Sequence, residues 1–242
     1  MYDNGVCLQN APRGSAVVLH MCAHNPTGVD PTPEQWRAIA DVVADRGLLP
    51  FFDCTYQGLA SGDLDQDAFP VRMFVDRGLE VLCAQSFSKN FGLYNERAAT
   101  LLVVSSSQES SGPLQSVLEE LVAGNYCSPP LYGARVVQKV WTVLRQQWKS
   151  DLVTIHARIK AMKELLHQRI VELGIPGFWD HFGWQSGWFV HTGLSEYQVS
   201  RMTQQFHIHM AKDGRASLCG LTPHNVDYVA RAIASVVNTD SS

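Results

Sequence analysis

Two apolar runs in this chain end in residues able to do chemistry. Val81-Leu82-Cys83-Ala84-Gln85 continues through Ser86-Phe87-Ser88 into Lys89, and Leu48-Leu49-Pro50-Phe51-Phe52 ends in Asp53. If both runs are buried parallel strands, an amine and a carboxylate emerge at the same edge of one sheet. Such a pair can hold the two poles of pyridoxal 5'-phosphate, whose aldehyde condenses with a lysine and whose ring nitrogen needs an acidic partner. A lysine amine becomes nucleophilic when it is desolvated or set beside other cations, because either lowers its pKa. The serines flanking Lys89, Ser86 among them, could hold a phosphate through hydroxyl and backbone donors.

Other residues could complete such a site. Asn25, in Asn25-Pro26-Thr27-Gly28, and Tyr56 could donate to the phenolic oxygen of the cofactor ring. Arg97, just before an apolar run, could face the phosphate, and Arg215 could clamp a substrate carboxylate with both arms of its guanidinium. Each residue also has an ordinary role open to it. Lys89 could be a surface lysine in a serine-rich turn, Asp53 a cap for the next loop, Asn25 to Gly28 a simple turn, Tyr56 a half-buried aromatic, and either arginine an ion-paired surface group.

The elements that must position these residues follow from pattern. Ala16–Met21 reads as a strand and His24 to Gly28 as a tight loop. Thr32 caps a helix, with Pro33 at its first position and Gln35 completing a capping box. Trp36, Ile39, Ala40 and Val43 are that helix's apolar stripe, and Gly47 ends it. Strands are predicted at Leu49–Phe52, Leu79–Gln85 and Ala98–Val104, with a helix at Asp67–Arg77. Alternating strands and helices, with strands apolar throughout, predict a parallel sheet covered on both faces, with ligands outside the carboxyl ends of its strands. From about Leu114 the pattern is helical. Leu152, Ile155, Ile159, Met162, Leu165, Leu166 and Ile170 mark a long amphipathic helix linking two domains. Beyond Gly174 come a strand near Trp188–Val190, a helix over Ser195–Phe206, strands at His207–Met210 and Ala216–Leu218, and a last helix at Pro223–Val237 capped by Thr222. The expected fold class is α/β: a mostly parallel sheet covered by helices, then a smaller α+β domain. Residues 1–150 form a partial large cofactor-binding domain and residues 151–242 a small C-terminal domain.

Composition narrows the function. The 242 residues are 45% hydrophobic and 17% charged, with net charge -4. That is an ordinary globular balance with no basic field for nucleic acid. No apolar stretch is long enough for a bilayer, and Met1-Tyr2-Asp3-Asn4-Gly5 has no secretory character. The cysteines at 7, 22, 54, 83, 127 and 219 include no CxxC pair. They read as reduced, buried thiols of a cytoplasmic protein. The histidines lack metal spacing, so no metal site is expected. His207 and His209 alternate on a predicted exposed strand face.

In combination, three segments resemble the aspartate aminotransferase family, class I, among the fold-type I pyridoxal phosphate enzymes. They are Cys22-Ala23-His24-Asn25-Pro26-Thr27-Gly28, Phe52-Asp53-Cys54-Thr55-Tyr56-Gln57-Gly58 and Gln85-Ser86-Phe87-Ser88-Lys89-Asn90-Phe91-Gly92-Leu93-Tyr94-Asn95-Glu96-Arg97. The similarity runs from about Ala16 to Val237 and returns at Ser128-Pro129-Pro130, Gly133-Ala134-Arg135 and Gly214-Arg215. It implies that Lys89 bonds to the cofactor and moves the substrate α-proton, and that Asp53 pairs with the ring nitrogen. Asn25 and Tyr56 would hold the ring oxygen, Ser86 and Arg97 the phosphate, and Arg215 the substrate α-carboxylate. The implied catalytic set is Lys89, Asp53 and Tyr56. The implied reaction, part of amino acid metabolism, transfers an amino group from an amino acid to a 2-oxo acid. The implied assembly is a homodimer with its sites at the subunit interface.

Two departures from the family qualify this. The chain begins inside the large domain, without counterparts to the N-terminal arm, the glycine-rich phosphate loop or the aromatic that stacks on the ring, which predicts a truncated chain with an exposed apolar sheet edge. Ala123 stands where dicarboxylate enzymes carry an arginine for the distal carboxylate. Losing such a pair costs about a hundredfold or more in discrimination, which predicts a broader substrate range. The alternative to an active enzyme is a truncated, non-catalytic homologue with at most cofactor or partner binding.

Overall fold

The computed structural model describes residues 4–238. It divides into two units: one holds the chain up to Met21, Pro31–Gln57 and Leu64–Ser150, and the other holds Cys22–Asp30, Gly58–Asp63 and the chain from Asp151. Two short loops therefore group with the second unit although they are flanked by strands and helices of the first.

The first unit begins with α1 (Asn4–Asn10) and β1 (Ala16–His20), followed by α2 (Pro33–Arg46) and β2 (Leu49–Cys54). The capping box of α2 forms as its sequence requires. Thr32 Oγ1 accepts the Gln35 N–H at 3.3 Å, and Gln35 Oε1 accepts the Thr32 N–H at 2.9 Å. Gly47, at φ 58°, closes the helix. Next come α3 (Leu64–Asp67), α4 (Phe69–Asp76), β3 (Val81–Ser86) and β4 (Ala99–Val104). The helix predicted at Asp67–Arg77 is α4, begun two residues later with Pro70 in its first turn, where a missing N–H costs no helical bond; the short α3 before it was not predicted.

The four strands lie in sequence order, β1-β2-β3 parallel and β4 antiparallel to β3. The last strand departs from the parallel expectation because no helix separates it from β3. A parallel return needs a crossover, whereas an antiparallel one needs only a loop. Burial alternates along β2, with Phe52 and Cys54 sealed and Phe51 and Asp53 partly open. Val18 on β1 and Leu101 and Leu102 on β4 are exposed. The sheet is therefore less fully covered than the sequence pattern predicts. Its sealed face is locked by an aromatic cluster from α2, β2 and α4: Phe52 meets Phe74 edge-on at 5.1 Å and Trp36 at 5.9 Å. Helices α5 (Ser111–Asn125) and α6 (Leu131–Val143) follow, and α5 buries none of its residues.

Helix α7 (Arg145–Glu172) crosses from one unit to the other in the chain. Leu152, Ile159, Met162, Leu166 and Ile170 of its predicted stripe are buried, while Ile155 is exposed. The second unit continues with α8 (His181–Trp184), β5 (Phe189–His191), α9 (Glu196–Phe206), β6 (Arg215–Ser217) and α10 (Val226–Asn238). Strands β5 and β6 pair antiparallel. The strand predicted at His207–Met210 is absent. His207 instead takes φ 52° and ends α9, returning its N–H to the Met202 and Thr203 carbonyls. The last helix starts later than predicted: Thr222 gives its N–H to Asn225 Oδ1, and a turn precedes Val226. Cys22, Cys54 and Cys83 are buried as expected, but Cys7, Cys127 and Cys219 are exposed.

Phe52 is fully buried and directly precedes Asp53. Phe52→Ala is expected to lower unfolding free energy by about 3–5 kcal/mol in urea denaturation. Val18→Ala, at a position 67% exposed, is expected to change it by less than about 0.5 kcal/mol.

Candidate active site

In the first unit, Asp53 is the penultimate residue of β2 and pairs in register with His20 and Ala84. Its carboxylate accepts from the Thr55 hydroxyl at 2.5 Å. Beneath it, the Cys54 and Cys83 thiols lie 3.2 Å apart, and the hydrogen bond between them lowers the Cys83 pKa below the ordinary thiol range against the opposing effect of burial. The neighbouring strand β3 ends in Ser86, whose hydroxyl accepts the Ser88 N–H at 3.2 Å. The chain then enters the loop that carries Lys89.

That loop is closed by strand-like bonds at its base, Phe87 N–H to Ala98 carbonyl at 3.1 Å and Leu93 N–H to Phe87 carbonyl at 3.3 Å. The Lys89 ammonium donates to the Tyr94 hydroxyl at 2.6 Å and lies 3.9 Å from the Tyr94 ring centroid and 6.0 Å from that of Tyr56. Tyr56 is buried. Arg97 sits at the far end of the loop with φ 52°. That left-handed conformation costs about 1–3 kcal/mol in a non-glycine residue and is typical of functional turns. Its guanidinium donates to the Tyr94 carbonyl at 3.4 Å. Lys89, Tyr56, Ser86, Asp53 and Arg97 therefore belong to one sheet edge and the loops that leave it, as the strand pattern predicts.

In the second unit, Arg215 opens β6 opposite His191. Its Nη1 donates to Asn25 Oδ1 at 2.6 Å, and its guanidinium lies 4.9 Å from the Phe189 ring centroid. Asn25 is held in turn by a staple that sequence reasoning missed. The Asp30 carboxylate accepts the N–H groups of Ala23 and His24 at 2.8 Å each and the Ser186 hydroxyl at 2.6 Å. An acid shortly after an Asn-Pro-Thr-Gly turn is a usable signal for such a staple, although its reach to Ser186 is not. The fit is close. A Cβ on Gly28 would stand 2.9 Å from the Ser186 carbonyl, and one on Gly187 would stand 2.6 Å from the Ala23 Cβ. Lys163 supports this segment from α7 by donating to the Gln185 carbonyl. Burial lowers the Lys163 pKa, with Lys160 adding to the effect and Glu164 opposing it. Two further residues escaped the sequence reading. Tyr94 lies inside a quoted segment but drew no role, and Trp148 reaches the Lys89 loop from far along the chain. Among the described residues no group of three or more His, Cys, Asp or Glu is placed to hold a metal ion, and no helix is long and apolar enough to cross a membrane.

Comparison with known proteins adds to this geometry. The profile of the family described as "Aminotransferase class I and II" matches residues 7–233. The cytoplasmic aspartate aminotransferase of Caenorhabditis elegans is 44% identical over 237 residues, covering 97% of this chain and 58% of the relative. The crystal structure of aspartate aminotransferase from Trypanosoma cruzi superposes with a TM-score of 0.93 at 41% identity, over 97% of this chain and 60% of that one. An aromatic-amino-acid aminotransferase from Burkholderia pseudomallei, solved covalently bound to pyridoxal phosphate, gives 0.93 at 37% identity, over 96% and 58%. The chain thus spans 50% to 58% of the length of the curated relatives it matches.

Because the Lys163 pKa is lowered in the fold, the unfolded chain binds more protons between that value and the ordinary lysine value. Stability contributed by Lys163 therefore rises with pH across that window. Urea denaturation at stepped pH from 7 upward is expected to show wild type gaining on Lys163→Met as pH rises. A constant difference between the two would contradict it.

Proposed function

Because the chain belongs to the class I and II aminotransferase family, we propose that it catalyses pyridoxal-phosphate-dependent transfer of an amino group from an amino acid to a 2-oxo acid. The observation that carries this reading is the setting of Lys89. Its amine is held 2.6 Å from a tyrosine hydroxyl, on the loop that leaves the strand paired with the one bearing Asp53. The donor set suits the cofactor. Lys89 offers an amine for the aldehyde and Asp53 a carboxylate for the ring nitrogen. Tyr56 and Asn25 offer donors for the ring oxygen, and Ser86 and Arg97 a hydroxyl and a cation for the phosphate.

When bound, the cofactor supplies an electron sink for the electrons left behind when the substrate α-proton departs. The remaining work falls to side chains of this chain. Asp53, steadied by Thr55, would pair its carboxylate with the ring nitrogen and favour the protonated form there. Lys89 would hold the cofactor through its amine, and the same amine would move the substrate α-proton. The Tyr94 hydroxyl keeps that amine in place between these tasks. Arg215 takes the substrate α-carboxylate through its forked donors, oriented by Asn25 Oδ1 beside it.

We propose a broad substrate range, from aspartate-like to aromatic or aliphatic amino acids, because Ala123 offers no cation to a distal carboxylate. A homodimer is proposed on the support of α5, which buries none of its residues and exposes Leu114, Val117 and Leu121 along one stripe. A cytoplasmic location is proposed from the name of the Caenorhabditis elegans relative.

Added pyridoxal phosphate is expected to give purified protein an imine absorption band that Lys89→Ala lacks; identical spectra would overturn the reading. Arg215→Ala is expected to raise KM for amino acids by about 30-fold or more, the equivalent of about 2 kcal/mol or more for a lost charged pair. Cofactor binding without turnover of any amino acid would instead favour the non-catalytic homologue.

A further inference from the structure

We propose that Trp148 is a positioning residue for Lys89, acting through the backbone of the turn that carries the lysine. The inference rests on the reading of Lys89 as the cofactor lysine and deepens it. Trp148 lies in the first turns of α7, and its indole Nε1 donates to the Asn90 carbonyl at 2.7 Å in a buried contact. The same indole stacks on Phe91, with centroids 4.5 Å apart and planes 22° apart. The peptide between Asn90 and Phe91, one residue beyond Lys89, is thus gripped by a hydrogen bond and by a ring at the same time.

The grip is reinforced on the other sides. The buried Asn90 side chain donates to the Gln57 carbonyl at 3.2 Å, which ties the lysine turn to the loop bearing Tyr56. The Lys89 carbonyl accepts the Gly92 N–H at 3.2 Å. Before the lysine, the Ser88 N–H is held by Ser86 Oγ. Backbone groups on both sides of the Lys89 Cα are therefore committed to fixed partners. The direction of its Cα–Cβ bond is set, and the flexible four-carbon stem needs only to carry the amine to Tyr94. A loop closed only at its base would leave that direction free. The indole N–H matters more than the ring. Without it the Asn90 carbonyl is buried and unpaired, and the peptide plane is driven to turn toward another donor.

The roles of ring and donor can be separated. Trp148→Phe keeps an aromatic against Phe91 and removes the donor. Phe91→Leu removes the stacking partner and keeps the donor. Trp141, which meets Trp148 edge-on at 5.8 Å, serves as a packing control through Trp141→Phe. The full chain is treated with pyridoxal phosphate and borohydride, and each lysine's labelling is read by peptide mapping, with the exposed Lys139 and Lys212 as references in the same sample. Wild type is expected to label Lys89 ahead of the references. Trp148→Phe is expected to lower the Lys89 share about tenfold, since angstrom-scale misplacement is worth up to roughly a hundredfold in rate. Reference labelling and circular dichroism should be unchanged, and Phe91→Leu and Trp141→Phe should stay near wild type. Asn90→Ala, which cuts the tie to Gln57, is expected to lower the share several-fold and reports on the same clamp if Trp148→Phe does not accumulate. Wild-type labelling in Trp148→Phe, or equal losses in all the variants, overturns the proposal. No preference for Lys89 in wild type overturns instead the assignment of the lysine itself.

Discussion

Parallel pairing of β2 with β3 is the constraint on which the first unit turns. The ladder sets Asp53 against Ala84 and sends the chain out of β3 toward Lys89. Side chains alternate along a strand, so a slip of one residue would send Asp53 into the sealed face and Phe52 out of it. The slip is opposed from below. Phe52 sits between Trp36 and Phe74 in ring-to-ring contact, and a slip that drew Asp53 into that place would bury a carboxylate among aromatic rings. The aromatic cluster therefore selects the face on which the carboxylate stands, although it never touches it.

The reversal of direction at β4 has a chemical consequence. A parallel return would have put a helix after the lysine. The antiparallel return makes the lysine loop the tip of a two-strand connection, closed at its base by main-chain bonds. A loop of that kind can store strain where it is useful. Arg97 adopts its left-handed conformation there, and its cost is offset by the ladder on either side. A binding loop on a rigid sheet edge combines reach with fixed geometry.

The second unit solves a similar problem by different means. Its carboxylate-binding candidate, Arg215, stands on a two-strand sheet, and Asn25 lies on a loop with no ladder of its own. Asp30 replaces the ladder: one carboxylate accepts from two backbone amides and a hydroxyl. Close approach at Gly28 and Gly187 removes the remaining slack. Charge-assisted bonds of this kind are shorter and stronger than neutral ones, which suits a loop that must hold one amide against one guanidinium.

Much of this was legible in the chain alone. The capping box at Thr32, the stripe from Trp36 to Val43, the strand that carries Asp53 and the one that leads to Lys89, and the family kinship all rest on local periodicity and on short segments of residues, which a linear reading can see. Whatever depended on partners distant in the chain was decided by tertiary structure. The direction of β4 followed from what lies between it and β3, and in place of the strand predicted at His207–Met210 the chain takes a left-handed turn at His207 that closes α9. The indole of Trp148 on Asn90, 58 residues apart, and the reach of Asp30 to Ser186, 156 residues apart, leave no trace in spacing. A hydrogen bond across such a separation is specified only when packing has already brought donor and acceptor together.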